Sequence, residues 1–357
     1  MLIERAVKPN GQLPMPEKRN PTGSVQEVQH TEARPMMLFA LEGSRDLGAA
    51  VANHLGHQLA PHEERSFEDG EHKIRPLESV AGASVYVIHS LYGGPIQSAN
   101  DKLCRLLFFI GALKDGGAKR VTAVAPYLCY ARKDRRTKSF DPVTTRYVAS
   151  LFEAVGTDMI VTLEVHNPAA FENAFRCRTI TLTAAPIFVD RFKSIDAKDI
   201  CVVSPDAGGV KRAELFREAL EAELSRPVGK AFVDKHRSAG VVSGDLFVGD
   251  VKGTTALIID DLISSGTTLV RAALAAHQAG AQKVLALVTH GLFMEGSDAA
   301  VTNPAISRLI TTDSVPPFRV KPGAIQNKVE ILPCAPLLAE AVRHLHADEP
   351  LSDLLVF

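Results

Sequence analysis

The 357-residue sequence predicts an α/β protein of two doubly wound, mainly parallel-sheet domains. Three observations carry this prediction. Short runs rich in Val, Ile and Leu, bounded by Gly, Pro or Asp, alternate with longer helical patterns, as βαβ units require. The runs outnumber what one sheet comfortably holds. At least one run, Thr255 to Asp260, ends directly in a polar cluster, and parallel sheets bind ligands at the carboxyl ends of their strands.

In chain order, residues 1–35 are polar and carry prolines at 9, 14, 16, 21 and 35, so they read as a mobile tail with no assigned chemistry. Apolar runs then place strands near 36–40, 85–89, 121–125, 160–163, 201–203, 230–233, 256–260 and 284–288. Helical patterns fall near 46–56, 98–115, 143–155, 208–222, 268–279 and 335–346. The expected division is a first domain over 36–183, a second over 184–335, and a terminal helix and tail over 336–357.

Composition narrows the function classes. With 46% apolar and 23% charged residues, the chain can bury a sizeable core. A net charge of −1 gives no global attraction to nucleic acid or acidic membranes. Five cysteines without a Cys-x-x-Cys pair suggest neither a disulfide framework nor a zinc site, and a reducing cytoplasm is the expected location. No apolar run reaches the roughly 18 to 20 residues that span a bilayer.

The densest chemistry lies in Thr255–Thr268. An apolar strand ends in Asp260-Asp261, and Ser264, Ser265, Gly266, Thr267 and Thr268 then open a helix. Hydroxyls and unpaired N–H groups at a helix N-terminus suit a phosphate, and the paired carboxylates suit vicinal sugar hydroxyls. A bare strand, turn and capped helix is the bland alternative. Phe67-Glu68-Asp69-Gly70-Glu71 reads alone as a surface turn. Tyr130 to Lys138 places five cations within seven residues after a strand, which suits a triphosphate, a solvated loop or nucleic acid; thin aromatic interleaving disfavours the last. His166 ends another strand, Asp206 suits a helix N-cap, and Asp234-Lys235-His236-Arg237 forms a basic turn between two strands.

Together these segments resemble the ribose-phosphate pyrophosphokinase family, and the resemblance runs from about residue 37 to 345. It implies type I phosphoribosyltransferase-like domains and a homo-oligomer. It also implies transfer of the diphosphoryl group of MgATP to the 1-hydroxyl of ribose 5-phosphate. Carried over by motif, Phe67, Asp69, Glu71, Arg132, Lys133, Asp134 and His166 would bind ATP, and His166 with Asp206 would hold Mg²⁺. Asp260, Asp261, Ser264, Ser265, Gly266, Thr267 and Thr268 would bind ribose 5-phosphate. Lys235 and Arg237, on a loop that is mobile in the family, would stabilise the reacting phosphates. Lys133, Glu164, Ala207 and His236 stand where the family usually has Gln, Asp, His and Arg. Two other readings remain: a phosphoribosyltransferase, which needs a base and no ATP, and a catalytically silent regulatory relative.

Overall fold

The computed structural model describes residues 35–357 except 194, 196–198, 239, 240, 356 and 357; the side chains of 235–245, 325, 326 and 353 also lie outside the description. The tail expected over 1–35 therefore falls outside it, apart from Pro35.

The described chain begins with β1 (Met36–Ala40), α1 (Arg45–Leu55), a hairpin of β2 (His62–Ser66) and β3 (His72–Pro76), and β4 (Ser84–Ile88). It continues through α2 (Ala99–Asp115), β5 (Arg120–Val124), α3 (Thr144–Ala154), β6 (Met159–Leu163), α4 (Pro168–Ala174) and β7 (Arg178–Leu182). Apart from the hairpin, these strands form a parallel five-stranded sheet ordered β1-β4-β5-β6-β7. Next come α5 (Ala185–Phe192), β8 (Ile200–Ser204), α6 (Val210–Leu224), β9 (Gly229–Ser238), β10 (Val241–Val248), β11 (Thr255–Ile263) and α7 (Thr267–Gln278). The chain closes with β12 (Lys283–Gly291), α8 (Ser297–Thr302), β13 (Arg308–Thr312), α9 (Pro322–Asn327), β14 (Val329–Leu332) and α10 (Ala335–His346). The second sheet has seven strands ordered β10-β9-β8-β11-β12-β13-β14, and only its β9–β10 pair is antiparallel.

Burial explains the near-continuous apolar runs. Strands β4, β6 and β8 are buried at every residue, because helices cover both faces of a parallel sheet. Leu106, Phe109 and Ile110 of α2 pack with Phe152 of α3 on one face of the first sheet. On the other face, Val51 of α1 and Leu338 and Val342 of α10 share a core with Phe188, Phe216 and Leu257, which reaches into the second sheet. A third cluster joins α7 to the far face of that second sheet. Helix α2 starts where Ser98 and Asp101 form a reciprocal capping box, the Ser98 N–H donating to Asp101 at 2.8 Å.

The carboxyl ends of the two sheets meet. His290, at the end of β12, pairs through Nε2 with the Leu163 carbonyl of β6 at 2.8 Å, and Ser90 Oγ donates to the Ser314 carbonyl at 2.5 Å. Arg319 reinforces the junction by donating to the Gly93 carbonyl at 2.6 Å and the Leu292 carbonyl at 2.9 Å.

Candidate active site

A cavity of about 1070 Å³ opens where those strand ends meet. From the second sheet, β11 supplies its floor: Ala256 to Ile259 are buried, and the strand delivers Asp260 and Asp261 to the cavity wall. Ser264 to Thr268 follow along the same wall. Gly266 bends the chain with φ +80°, and a Cβ at that position would lie 2.3 Å from the Ala300 Cβ, so glycine alone fits. No side chain caps α7, which leaves its first-turn N–H groups for an anion. Ser265 Oγ and Thr267 Oγ1, 3.1 Å apart, add hydroxyls beside them.

The acid pair is electrically asymmetric. Burial would raise the Asp261 carboxyl, but the His166 Nδ1 contact at 2.8 Å and the Arg212 charge outweigh it and hold Asp261 ionised. Burial and the neighbouring Asp261 charge push the Asp260 carboxyl up. The hydrogen bond that His166 donates to Asp261 raises the His166 imidazole, against the effect of burial.

The first sheet supplies the opposite wall. β6 ends at Leu163, and the next residue, Glu164, turns the chain with a φ of +45° so that His166 lines the cavity. Asn167 donates to Asp134 at 2.6 Å and caps α4 by accepting from the Ala170 N–H at 3.2 Å. Arg132, Lys133 and Asp134 therefore share the cavity with His166, although the Lys133 ammonium is engaged by Asp141 at 2.7 Å. That contact also holds the Asp141 carboxyl well below the usual carboxylate range. Asp206 lies on the cavity wall and caps a short 3₁₀ turn over 207–209, accepting from the Gly208 and Gly209 N–H groups at 2.9 and 3.1 Å.

Thus the structure brings together Arg132, Lys133, Asp134, His166, Asp206, Asp260, Asp261 and Ser264–Thr268. It does not bring Phe67, Asp69 and Glu71 to this cavity. They form the turn of the β2–β3 hairpin, where Phe67 is 40% exposed beneath the Arg65 guanidinium and Asp69 accepts from the Glu71 N–H at 3.0 Å. Lys235 and Arg237 sit on β9, with backbones paired to Asp245 and Val242 of β10, and their side chains lie outside the description. The expected loop after residue 233 is instead a continued strand and hairpin, because Val241, Val242, Leu246, Phe247 and Val248 supply a second β-forming run.

Arg212 is the residue that motif reading missed. It projects from α6 to contact Glu164, Asp260 and Asp261, and its only sequence signal is its place within the first turn after Gly208-Gly209. Among the described residues, no group of three or more His, Cys, Asp or Glu could hold a metal by itself.

Fold and cavity define a two-sheet α/β protein whose paired carboxylates and uncapped helix start face a wall carrying Arg132, Lys133 and His166. Residues 36–156 match the family model for the N-terminal domain of ribose phosphate pyrophosphokinase, 178–298 that for a phosphoribosyl transferase domain, and 243–356 that for a phosphoribosyl synthetase-associated domain. A ribose-phosphate pyrophosphokinase from Hyphomonas neptunium is 36% identical over 89% of this chain and 99% of its own. One from Caldanaerobacter subterraneus subsp. tengcongensis is 37% identical over 89% and 97%. The crystal structure of phosphoribosylpyrophosphate synthetase from Mycobacterium smegmatis superposes with a TM-score of 0.76 at 30% identity, covering 88% of this chain and all of that one. The chain belongs to the ribose-phosphate pyrophosphokinase family.

Proposed function

We propose that this enzyme transfers the diphosphoryl group of MgATP to the 1-hydroxyl of ribose 5-phosphate, giving phosphoribosyl pyrophosphate and AMP. The observation that carries the reading is the shared cavity: the acid pair and helix start of β11–α7 face Arg132 and His166 across one space that Asp206 also lines. A phosphoribosyltransferase is disfavoured because the transferase match covers only 178–298, while the pyrophosphokinase N-terminal match covers 36–156.

In this reading Asp260 and Asp261 accept hydrogen bonds from the sugar's vicinal hydroxyls, and Ser264–Thr268 hold its 5-phosphate. Arg132, Lys133 and Asp134 take the nucleotide, with Phe67, Asp69 and Glu71 presented by a second copy of the chain. Lys235 and Arg237 neutralise charge that develops as the 1-hydroxyl oxygen attacks the β-phosphorus and AMP departs. Such a transfer needs alignment and charge neutralisation more than a covalent intermediate. His166 and Asp206 fit Mg²⁺ as a sparse donor set, one imidazole and one carboxylate lining the same cavity, because this ion keeps waters and phosphate oxygens in most of its positions. When bound, Mg²⁺ would screen the triphosphate's charge.

The proposed domain division follows the sheets, which end at Leu182 and resume at Ile200. A homo-oligomer is proposed because the hairpin turn does not line its own chain's cavity. A reducing cytoplasm suits the five free cysteines, and no helix among the described residues is long and apolar enough to cross a membrane. Incubating the protein with Mg²⁺, ATP and ribose 5-phosphate, omitting each in turn, should yield AMP and phosphoribosyl pyrophosphate only in the complete mixture. Product without ATP, or none with all three, refutes the assignment.

A further inference from the structure

The side chain joining the two walls of the cavity belongs to neither the sugar cradle nor the nucleotide set. Arg212 Nε donates to Glu164 Oε2 at 3.2 Å, and its terminal nitrogen lies 3.6 Å from Asp260 and 3.8 Å from Asp261. The other oxygen of Asp261 meets His166 Nδ1 at 2.8 Å. Glu164 and His166 are two residues apart, so the contacts close a ring through Glu164, Arg212, Asp261 and His166. Half of that ring comes from the first sheet and half from the second.

Glu164 is unusually constrained. A glutamate at φ +45° occupies the left-handed region, which persists only where the surroundings enforce it. Its N–H donates to the Leu182 carbonyl at 2.9 Å, and its Oε1 accepts from Thr183 Oγ1 at 2.9 Å and from the Ala184 N–H at 3.0 Å. Its remaining oxygen holds Arg212, whose side chain is only 16% exposed. Adjacent buried carboxylates repel, and a planar guanidinium can offset both while keeping a third partner; a lysine ammonium is a point charge without that fork.

We propose that Arg212, anchored by Glu164, is a positioning residue: it holds the Asp260–Asp261 pair in the orientation that receives a pentose's vicinal hydroxyls and keeps that cradle in register with the nucleotide wall. Arg212 acts through the acid pair and not on the substrate. The role rests on the reading of β11–α7 as a ribose 5-phosphate cradle.

The test compares Arg212→Met, Arg212→Lys and Glu164→Gln with the unaltered enzyme. Arg212→Met should raise KM for ribose 5-phosphate on the order of tenfold or more, because the acid pair loses its shared cation, and leave KM for ATP within about twofold. Arg212→Lys should recover part of the loss, and millimolar guanidinium should partly restore Arg212→Ala. Glu164→Gln should reproduce the selective effect more weakly, and combining it with Arg212→Met should add little, as for residues acting in series. Should Arg212→Met fold poorly, Glu164→Gln carries the same discrimination. A thermal-shift titration with ribose 5-phosphate and a non-hydrolysable ATP analogue, which needs no turnover, should show a weakened sugar-phosphate response in the variants. Equal rises in both KM values, or no rise, overturn the assignment to Arg212. An unaltered enzyme that does not respond to ribose 5-phosphate overturns the cradle and, with it, this role; a normal response by the enzyme and an identical one by Arg212→Met overturn the role alone.

Discussion

The β11–α7 segment and the β2–β3 hairpin both carry motif residues, but the fold treats them in opposite ways. The first ends an interior strand, so its carboxylates emerge into a cavity closed by the other sheet, where His166 and Arg212 meet them. The second caps a two-stranded ribbon: Phe67 is 40% exposed, and neither Asp69 nor Glu71 lines the cavity. A motif at the end of an interior parallel strand is completed by its own chain. The motif at the hairpin tip lies outside that cavity.

The largest expected contrast is between aspartates in these two places. Asp261→Asn removes charge-assisted contacts to His166 and Arg212 from a residue only 4% exposed, and should lower kcat/KM on the order of 10²–10³-fold. Asp69→Asn, whose charge lies at an exposed turn, should cost less than about tenfold. Similar losses for the two variants, measured by AMP release at subsaturating ribose 5-phosphate, would erase the distinction. Gly266→Ala comes next. It places a Cβ 2.3 Å from that of Ala300 at a backbone φ of +80°, and should destabilise the protein by about 1–3 kcal/mol in denaturant titration while weakening ribose 5-phosphate binding. Gly70 has a similar φ of +90° but no atom within 4 Å of an added Cβ, so Gly70→Ala should lose less.

The same contrast explains what the sequence made legible. All eight expected strands and all six expected helices appear, with every bound except the end of β9 within about three residues of expectation, because fully buried strands such as β4, β6 and β8 must be largely apolar. The hairpin was invisible to that criterion: His62–Ser66 reads His-Glu-Glu-Arg-Ser, and its partner His72–Pro76 has a single buried residue, Ile74. Strands β7, β10, β13 and β14 also escaped; Arg308–Thr312, for example, reads Arg-Leu-Ile-Thr-Thr, with only two consecutive aliphatic residues to mark it. At the site, contiguous motifs announced the acid pair and the anion loop. Arg212 did not announce itself, because its meaning comes from Glu164, Asp260 and Asp261, which lie at distances along the chain that no local pattern spans.

Complementation can break the comparison from the hairpin's side. Phe67→Ala should raise KM for ATP on the order of tenfold by removing a base-stacking ring, while KM for ribose 5-phosphate stays nearly constant. If the turn serves a neighbouring chain, mixing Phe67→Ala with Asp261→Asn subunits under exchange should restore activity, since some sites then combine an intact hairpin with an intact cradle. A mixture no more active than the average of its parents would place the hairpin outside any shared site.

The smallest effect concerns protons. His290 is fully buried at the junction of the two sheets, between Leu163 and Ser314, and burial lowers its pKa, with the Asp261 charge and the Leu163 carbonyl opposing only in part. His72, in the hairpin, is also lowered by burial first and then by Arg105, but it is only partly buried. For either histidine the unfolded chain binds the proton at a higher pH than the folded one. Stability is therefore full above the ordinary value of 6.5 and is lost as pH falls toward the folded value. Melting temperatures between pH 7.5 and 5 should then decline less steeply in His290→Asn than in His72→Asn, with residual decline in both from the buried His89, whose pKa is also lowered. His290→Asn should start from a lower melting temperature at pH 7.5, because the contact to Leu163 is lost. A slope unchanged by His290→Asn but flattened by His72→Asn would move the acid-sensitive element from the junction of the two sheets to the ribbon, and that junction would lose its distinction as the more tightly integrated region.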